Sequence, residues 1–185
     1  MTRPRSSTHQ IPSGNTKRFL NKPKVFSPSQ FLADKLITIG GPKDAIIVTP
    51  RSVEPDAFEL FDRLPQRCLA VGGFVEKKAP LVTIAAFAKA AKNRPAAHLD
   101  LIGGGPPLAE CQRYVAKRQL GDKITLHGVA PHQKVKKLMA NASFFLQHSV
   151  TASDGDAEGL PVAILEVMSL DWQWFRLNTA AFLKR

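Results

Sequence analysis

From Cys68 onward, short apolar runs alternate with amphipathic ones at a period of about 25 residues, and this alternation constrains the fold more than any other feature. The stretches Cys68–Gly72, Ala97–Ile102, Lys123–His127 and Phe144–Gln147 read as buried strands. Between them, Lys78–Asn93, Leu108–Gln119 and His132–Ala140 read as helices. The expected inward stripes are Leu81, Ile84, Ala85 and Ala88; then Leu108, Cys111 and Val115, with Gly121 ending that helix; then Val135, Leu138 and Met139. Strands and helices in this rhythm predict an α/β fold: a parallel sheet with helices on both faces. Right-handed crossovers bring the C-terminal ends of all its strands to one edge. A glycine-containing stretch follows each strand: Gly72–Gly73, Gly103–Gly105, Gly128 and Gly155–Gly159. They converge where open α/β sheets bind ligands, which predicts a nucleotide or phosphate-ester site.

Upstream, Ser27–Ile37 reads as a turn and a short helix with Leu32, Leu36 and Ile37 on one face, stopped by Gly40-Gly41-Pro42. The β-branched run Ala45–Thr49 reads as a strand closed by Pro50, and 50–66, with three prolines, as a loop. The net charge of +11 suggests a polynucleotide partner until its distribution is considered. Residues 1–24 carry six basic residues and no acid, so the tail supplies +6 and the remainder only +5. That tail has little apolar content and is expected to be disordered. Phe19 is its one aromatic residue, so no stacking platform is formed and no specific nucleic-acid partner is expected. No apolar run reaches the roughly 18 residues of a membrane span. The basic N-terminus has no apolar core of the kind a secretory signal carries. A cytoplasmic setting, with at most peripheral membrane contact, is the expectation. Cys68 and Cys111 lack paired spacing and read as small buried residues.

The chemistry is concentrated in Glu158-Gly-Leu-Pro-Val-Ala-Ile-Leu-Glu166, two carboxylates eight positions apart around a helix start. Pro161 suits a first-turn position. A helical rise places the two acids roughly 10 Å apart along the axis, suiting the two ends of an extended polar ligand. The alternative is a solvated helix with two surface acids. Lys77 and Lys78 stand where the loop after the first of these strands enters its helix; they are either a solvated charge run or cations for a phosphate. A carboxylate at Glu166 can accept both ribose hydroxyl protons. Asp154-Gly-Asp156 is either a metal-bridging pair or a polar loop, and His127 and His148 either face the ligand edge or are structural. Neither G-x-G-x-x-G nor G-x-x-x-x-G-K-[ST] is present, and no Ser-His-Asp or Cys-His arrangement is legible.

Four stretches, in order, carry a resemblance: Ala70-Val-Gly-Gly-Phe-Val-Glu-Lys-Lys-Ala-Pro80, Leu101-Ile-Gly-Gly-Gly-Pro106, Ile124-Thr-Leu-His-Gly128 and Gln147–Glu166. Together they resemble the nucleotide-binding half of the family-4 retaining glycosyltransferases of the two-domain GT-B type, in the subgroup that builds exopolysaccharides and colanic-acid-like capsules. The resemblance spans about Phe26 to Leu170. It implies a Rossmann-like donor-binding domain over 25–170 that takes a hexose from a nucleotide-diphosphate sugar to a glycan or lipid-linked acceptor. It implies Lys78 on the donor diphosphate, Glu166 on the ribose hydroxyls, and Glu158 as the catalytic residue beside the donor sugar. Backbone at Gly159, Leu160 and Pro161 would cradle the phosphates, and Val129 and Ala130 would line the base pocket; the strand-end glycines Gly72, Gly73 and Gly103, whose backbone N–H groups can approach a phosphate closely, are expected to bind the donor as well. No metal or other cofactor is implied.

Departures from the family pattern accompany it. Gly73 stands where the family usually has an arginine, and Gly104 where it usually has an aspartate. Residues 171–185 diverge from the family's continuation, so an open apolar sheet edge is expected. A chain lacking the acceptor-binding domain that would precede Phe26 is the expectation, and with it no turnover by the chain alone. A non-catalytic nucleotide-sugar-binding remnant is the alternative.

Overall fold

The computed structural model describes residues 24–50, 52–53 and 63–169 and the backbone of 175–176. The described residues form two compact units, divided after residue 51 in the proline-containing stretch. The tail predicted to be disordered, apart from Lys24, and most of the divergent end lie outside the described residues. No helix among the described residues is long and apolar enough to cross a membrane.

In the first unit, β1 (Val25–Ser27) pairs in parallel with β2 (Ile46–Val48), and α1 (Gln30–Thr38) connects them. Ser29 caps α1, its hydroxyl accepting from the Leu32 N–H at 3.3 Å. At the other end Gly40, at φ 95°, allows the Gly41 N–H to reach Leu36 O at 2.8 Å, so the glycine pair stops the helix as the sequence predicts.

The second unit carries five parallel strands: β3 (Arg67–Val71), β4 (His98–Ile102), β5 (Ile124–Leu126), β6 (Phe144–Gln147) and β7 (Phe175–Arg176), in the order β5-β4-β3-β6-β7. Its helices are α2 (Pro80–Ala90), α3 (Leu108–Lys117), α4 (His132–Asn141) and α5 (Val162–Met168). Alternation along the strands sends Leu99 and Leu101 to one face, against Ile84 and Phe87 of α2 and Cys111 and Val115 of α3. Leu69, Ile102 and Phe145 point to the other, against Val135 and Met139 of α4 and Val167 of α5. Both faces are covered, and the predicted fold class is observed.

The structure corrects several local readings. The expected stripe of the Lys78–Asn93 helix is rotated: α2 buries Pro80, Thr83, Ile84 and Phe87, and Ala85 is exposed. The bulky Phe87 ring sets the phase, because an alanine gains too little by burial to compete with it. At the end of α3 it is Gln119, at φ 54°, that turns left-handed, with Leu120 N–H on Val115 O and Gln119 N–H on Ala116 O, both 3.0 Å. Gly121 is therefore not the terminator. Pro161 is the N-cap of α5, one place before the first-turn position expected. The edge of β6 is not open, since β7 pairs with it through Leu146–Phe175 and Gln147–Arg176.

The strands are laid down from β3 outward through β4 to β5, and the chain then returns to add β6 on the other side of β3. This reversal sets a crevice between the C-terminal ends of β3 and β6.

Candidate functional site at the strand reversal

A small cleft of about 30 Å³ opens at this reversal, lined by Gly72, Gly73, Lys78, Thr83 and His148 among others. After β3 the chain passes the two glycines and makes a 3-10 turn at Glu76–Lys78. It then places Ala79 in the left-handed region, at φ 41°, and enters α2 at Pro80. Pro80 and Thr83 also line the cleft, so the positive dipole end of α2 lies at it, with the N–H groups of Val82 and Thr83 already donated to Ala79 O. A Cβ at position 72 would stand 3.4 Å from Lys78 Cε, so the lysine stem runs along a glycine.

Lys78 Nζ meets Glu158 Oε2 at 2.5 Å, with the two side chains only 16% and 14% exposed. Two of the residues singled out in the sequence are thus brought together as a largely desolvated ion pair. The segment carrying Glu158 is strapped onto the same turn. Val150 N–H donates to Lys77 O at 2.8 Å, and Lys77 Nζ meets Asp156 Oδ2 at 2.9 Å. Ser153 donates twice to Glu76, its N–H to Oε1 at 2.9 Å and its hydroxyl to Oε2 at 2.7 Å. The hydrogen bond to Asp156 holds the Lys77 ammonium above its ordinary pKa. Asp154 Oδ1 in turn accepts from the Asp156 N–H at 2.8 Å, which folds the Asp-Gly-Asp loop on itself. No group of three or more potential metal ligands forms among the described residues.

The strand-end turns are stitched by backbone hydrogen bonds: Gly72 N–H to Ile102 O at 3.0 Å, Phe74 N–H to Gly104 O at 2.7 Å and Gly103 N–H to Gly128 O at 2.9 Å. The N–H groups of Gly72 and Gly103 are therefore bound to neighbouring turns, which corrects the reading that they approach a phosphate. Glycine at 103 is obligatory: φ is +149° and a Cβ would stand 1.8 Å from Gly72 O. Gly73 differs, being exposed, with no atom nearer than 3.9 Å to a Cβ built there. Val129 is 84% exposed, whereas Ala130 packs on the second core. Gly159 and Leu160 are half-buried, Pro161 is buried, and all three lead into α5. Glu166 is half-buried in the second turn of α5, beside buried Val167. Of the expected residues, Gly72, Gly73 and Lys78 line the cleft, Glu158 joins through Lys78 and Gly103 lies close against Gly72; Val129, Ala130, Gly159, Leu160, Pro161 and Glu166 are not among its lining.

His127 belongs to a separate network beneath the edge. Its Nε2–H donates to Asp100 Oδ1 at 2.7 Å, and Arg67 Nε–H donates to Asp100 Oδ2 at 2.7 Å. The Asp100 carboxylate, 1% exposed, is thereby satisfied. His148 lines the cleft with Nδ1 buried and unpartnered, and burial lowers its pKa. Cys68 and Cys111 are free thiols pushed up to about 11 by burial. The sequence reading missed Glu76, Ser153, Arg67 and Asp100. Two signals were present: an aspartate inside an apolar strand, and a Glu-Lys-Lys run facing an Asp-x-Asp-x-Glu run of complementary sign.

Residues 57–172 match the family described as glycosyl transferases group 1. The amylovoran biosynthesis glycosyltransferase AmsK of Erwinia amylovora is 34% identical over 159 residues, covering 80% of this chain and 39% of that protein. The putative colanic acid biosynthesis glycosyltransferase WcaL of Escherichia coli K12 is 30% identical over 146 residues, covering 77% of this chain and 36% of that protein. The chain thus spans well under half the length of these relatives. Among solved structures, a single-residue mutant of S. aureus TarM, in complex with Fondaparinux, alpha-GlcNAc-glycerol and UDP, superposes with a TM-score of 0.74 at 12% identity, covering 93% of this chain and 35% of that one.

Proposed function

Because the chain belongs to the glycosyl transferases group 1 family, we propose that it is the donor-binding lobe of a retaining transferase that moves a hexose from a nucleotide-diphosphate sugar to a glycan or lipid-linked acceptor. The family and the names of the exopolysaccharide relatives support this reading. The observation that carries it is the meeting of Lys78 and Glu158 at a cleft on the strand reversal, where a parallel sheet presents its ligands. In this reading Lys78 and the first turn of α2 face the diphosphate. Charge accumulates there as the sugar–phosphate bond breaks, so a fixed cation and a dipole end stabilise the transition state more than the ground state. Glu158 lies beside the sugar. Gly159, Leu160 and Pro161 offer backbone at the start of α5, and Glu166, further along α5, accepts from the ribose hydroxyls. Val129 and Ala130 flank the base. No metal or other cofactor takes part, and the acceptor is held by a domain beyond this chain.

A mutant and ligand cycle tests the Glu166 role. UDP and 2′-deoxy-UDP are titrated into the chain and into Glu166→Ala. The reading expects the deoxy nucleotide to bind about tenfold more weakly to the unaltered chain, for one charged hydrogen bond lost. Glu166→Ala should bind both equally. A deoxy penalty that survives in Glu166→Ala assigns the ribose contact elsewhere.

A further inference from the structure

The Lys78 ammonium is already satisfied by a carboxylate of its own chain, and both partners are mostly withdrawn from water. Removing one partner of such a pair strands the other charge at a cost well above that of a surface ion pair. A second anion reaches Lys78 by taking the place of Glu158, so that the lysine exchanges one anionic partner for another. Glu158 stands two residues past Asp156 and five past Ser153, both tied to the 76–78 turn. Its side chain can rotate off Lys78 while those ties keep the strap in place. The Lys77–Asp156 tie is the weaker, since Asp156 is 53% exposed and the pair is screened. The Glu76 carboxylate is exposed as well, but it takes two hydrogen bonds from Ser153, one of them from the strap's backbone, and is the anchor with more contacts.

We infer that Glu158 is the internal counter-anion of the donor site. A nucleoside diphosphate takes Lys78 by displacing the Glu158 carboxylate, and Glu76 is a positioning residue that holds the Glu158 strap on the Lys78 turn during the exchange. This rests on the donor-site reading above. It adds that Lys78 is masked without donor and that Glu158 is released toward the sugar only as the diphosphate arrives. The site thereby favours a ligand with enough negative charge to compete, a diphosphate over a monophosphate.

Two readouts separate this inference from the reading beneath it. The first needs no ligand: acetylation of Lys78 by an N-hydroxysuccinimide ester, followed by mass spectrometry. Lys78 is expected to react several-fold faster in Glu158→Gln, an isosteric change, than in the unaltered chain. It should also react faster in Glu76→Ala but not in Glu76→Gln, whose amide keeps one acceptor and one donor for Ser153. Thermal unfolding of each variant excludes global loss of structure. Equal Lys78 reactivity in all four proteins overturns the inference whatever binds. The second is calorimetry with UDP, GDP and inorganic pyrophosphate. Glu158→Gln is expected to bind the diphosphate about tenfold more tightly, because no carboxylate has to be displaced. Tighter binding of the diphosphate by the unaltered chain than by Glu158→Gln overturns the exchange. Faster Lys78 acetylation in Glu158→Gln with no nucleotide binding by any variant leaves the pair standing and overturns the donor-site reading.

Discussion

Ala79 has φ 41°, a conformation that costs an L-residue with a Cβ about 1–2 kcal/mol. It sits between the 3-10 turn and α2, where the chain must swing Lys78 into the cleft before the helix begins. Ala79→Gly is expected to stabilise the protein by roughly 0.5–1 kcal/mol net of the added chain entropy, read from the denaturant midpoint. Gly103→Ala is expected to destabilise it by at least about 2 kcal/mol, because the new methyl would overlap Gly72 O. Gly73 is the opposite case, since a Cβ there makes only ordinary contacts, 3.9 Å from Gly104 O and from Val75 Cγ1. Gly73→Arg should leave stability unchanged and tighten UDP or GDP binding about tenfold by adding a second cation beside Lys78. Unchanged affinity would place the diphosphate away from position 73. At this scale the sequence was partly legible. Charges that face a cleft stand out by type and spacing, whereas the strain at Ala79 follows from where the turn must deliver the chain.

Among the elements, the predicted strands and helices of the second unit all formed, because their periods of two and 3.6 are set by backbone geometry alone. Helix phase was less legible. The sequence stripe for α2 relied on alanines, and Phe87 and Thr83 decided which face turned inward. The Asp100 network was not legible at all, since its members are separated by up to 33 residues and meet only across paired strands. Within β4, burial lowers the pKa of His98 from its ordinary 6.5, and His148 after β6 is lowered likewise. A histidine whose folded pKa is depressed binds its proton more tightly when unfolded. The stability it contributes is therefore full above the unfolded value and is lost as pH falls below it. The melting temperature is expected to drop between pH 7 and about pH 5, before carboxylates titrate. A variant carrying His98→Asn and His148→Asn should show a shallower drop over that window. The raised thiols of Cys68 and Cys111 should leave both slow toward iodoacetamide at pH 7.

For the molecule as a whole, the convergence of glycine-bearing strand ends on one edge was legible, because parallel crossovers leave no other place for them. The short β7 pairing was not, since residues 171–185 carry no strand-like run, yet among the described residues the backbone at 175–176 pairs with β6. The chain spans 39% of AmsK and 36% of the E. coli WcaL protein, and the proposed transfer reaction belongs to a longer architecture of which this sheet would be the nucleotide-facing part. The claim that can be measured on the chain itself is binding. The most direct measurement is a calorimetric titration of the purified chain with UDP and with GDP, each with and without magnesium, alongside circular dichroism and a cooperative melt. Saturable one-to-one binding of at least one of them is expected, with the same affinity in both metal conditions. A cooperatively folded chain that binds neither, or that binds only with magnesium, would contradict it.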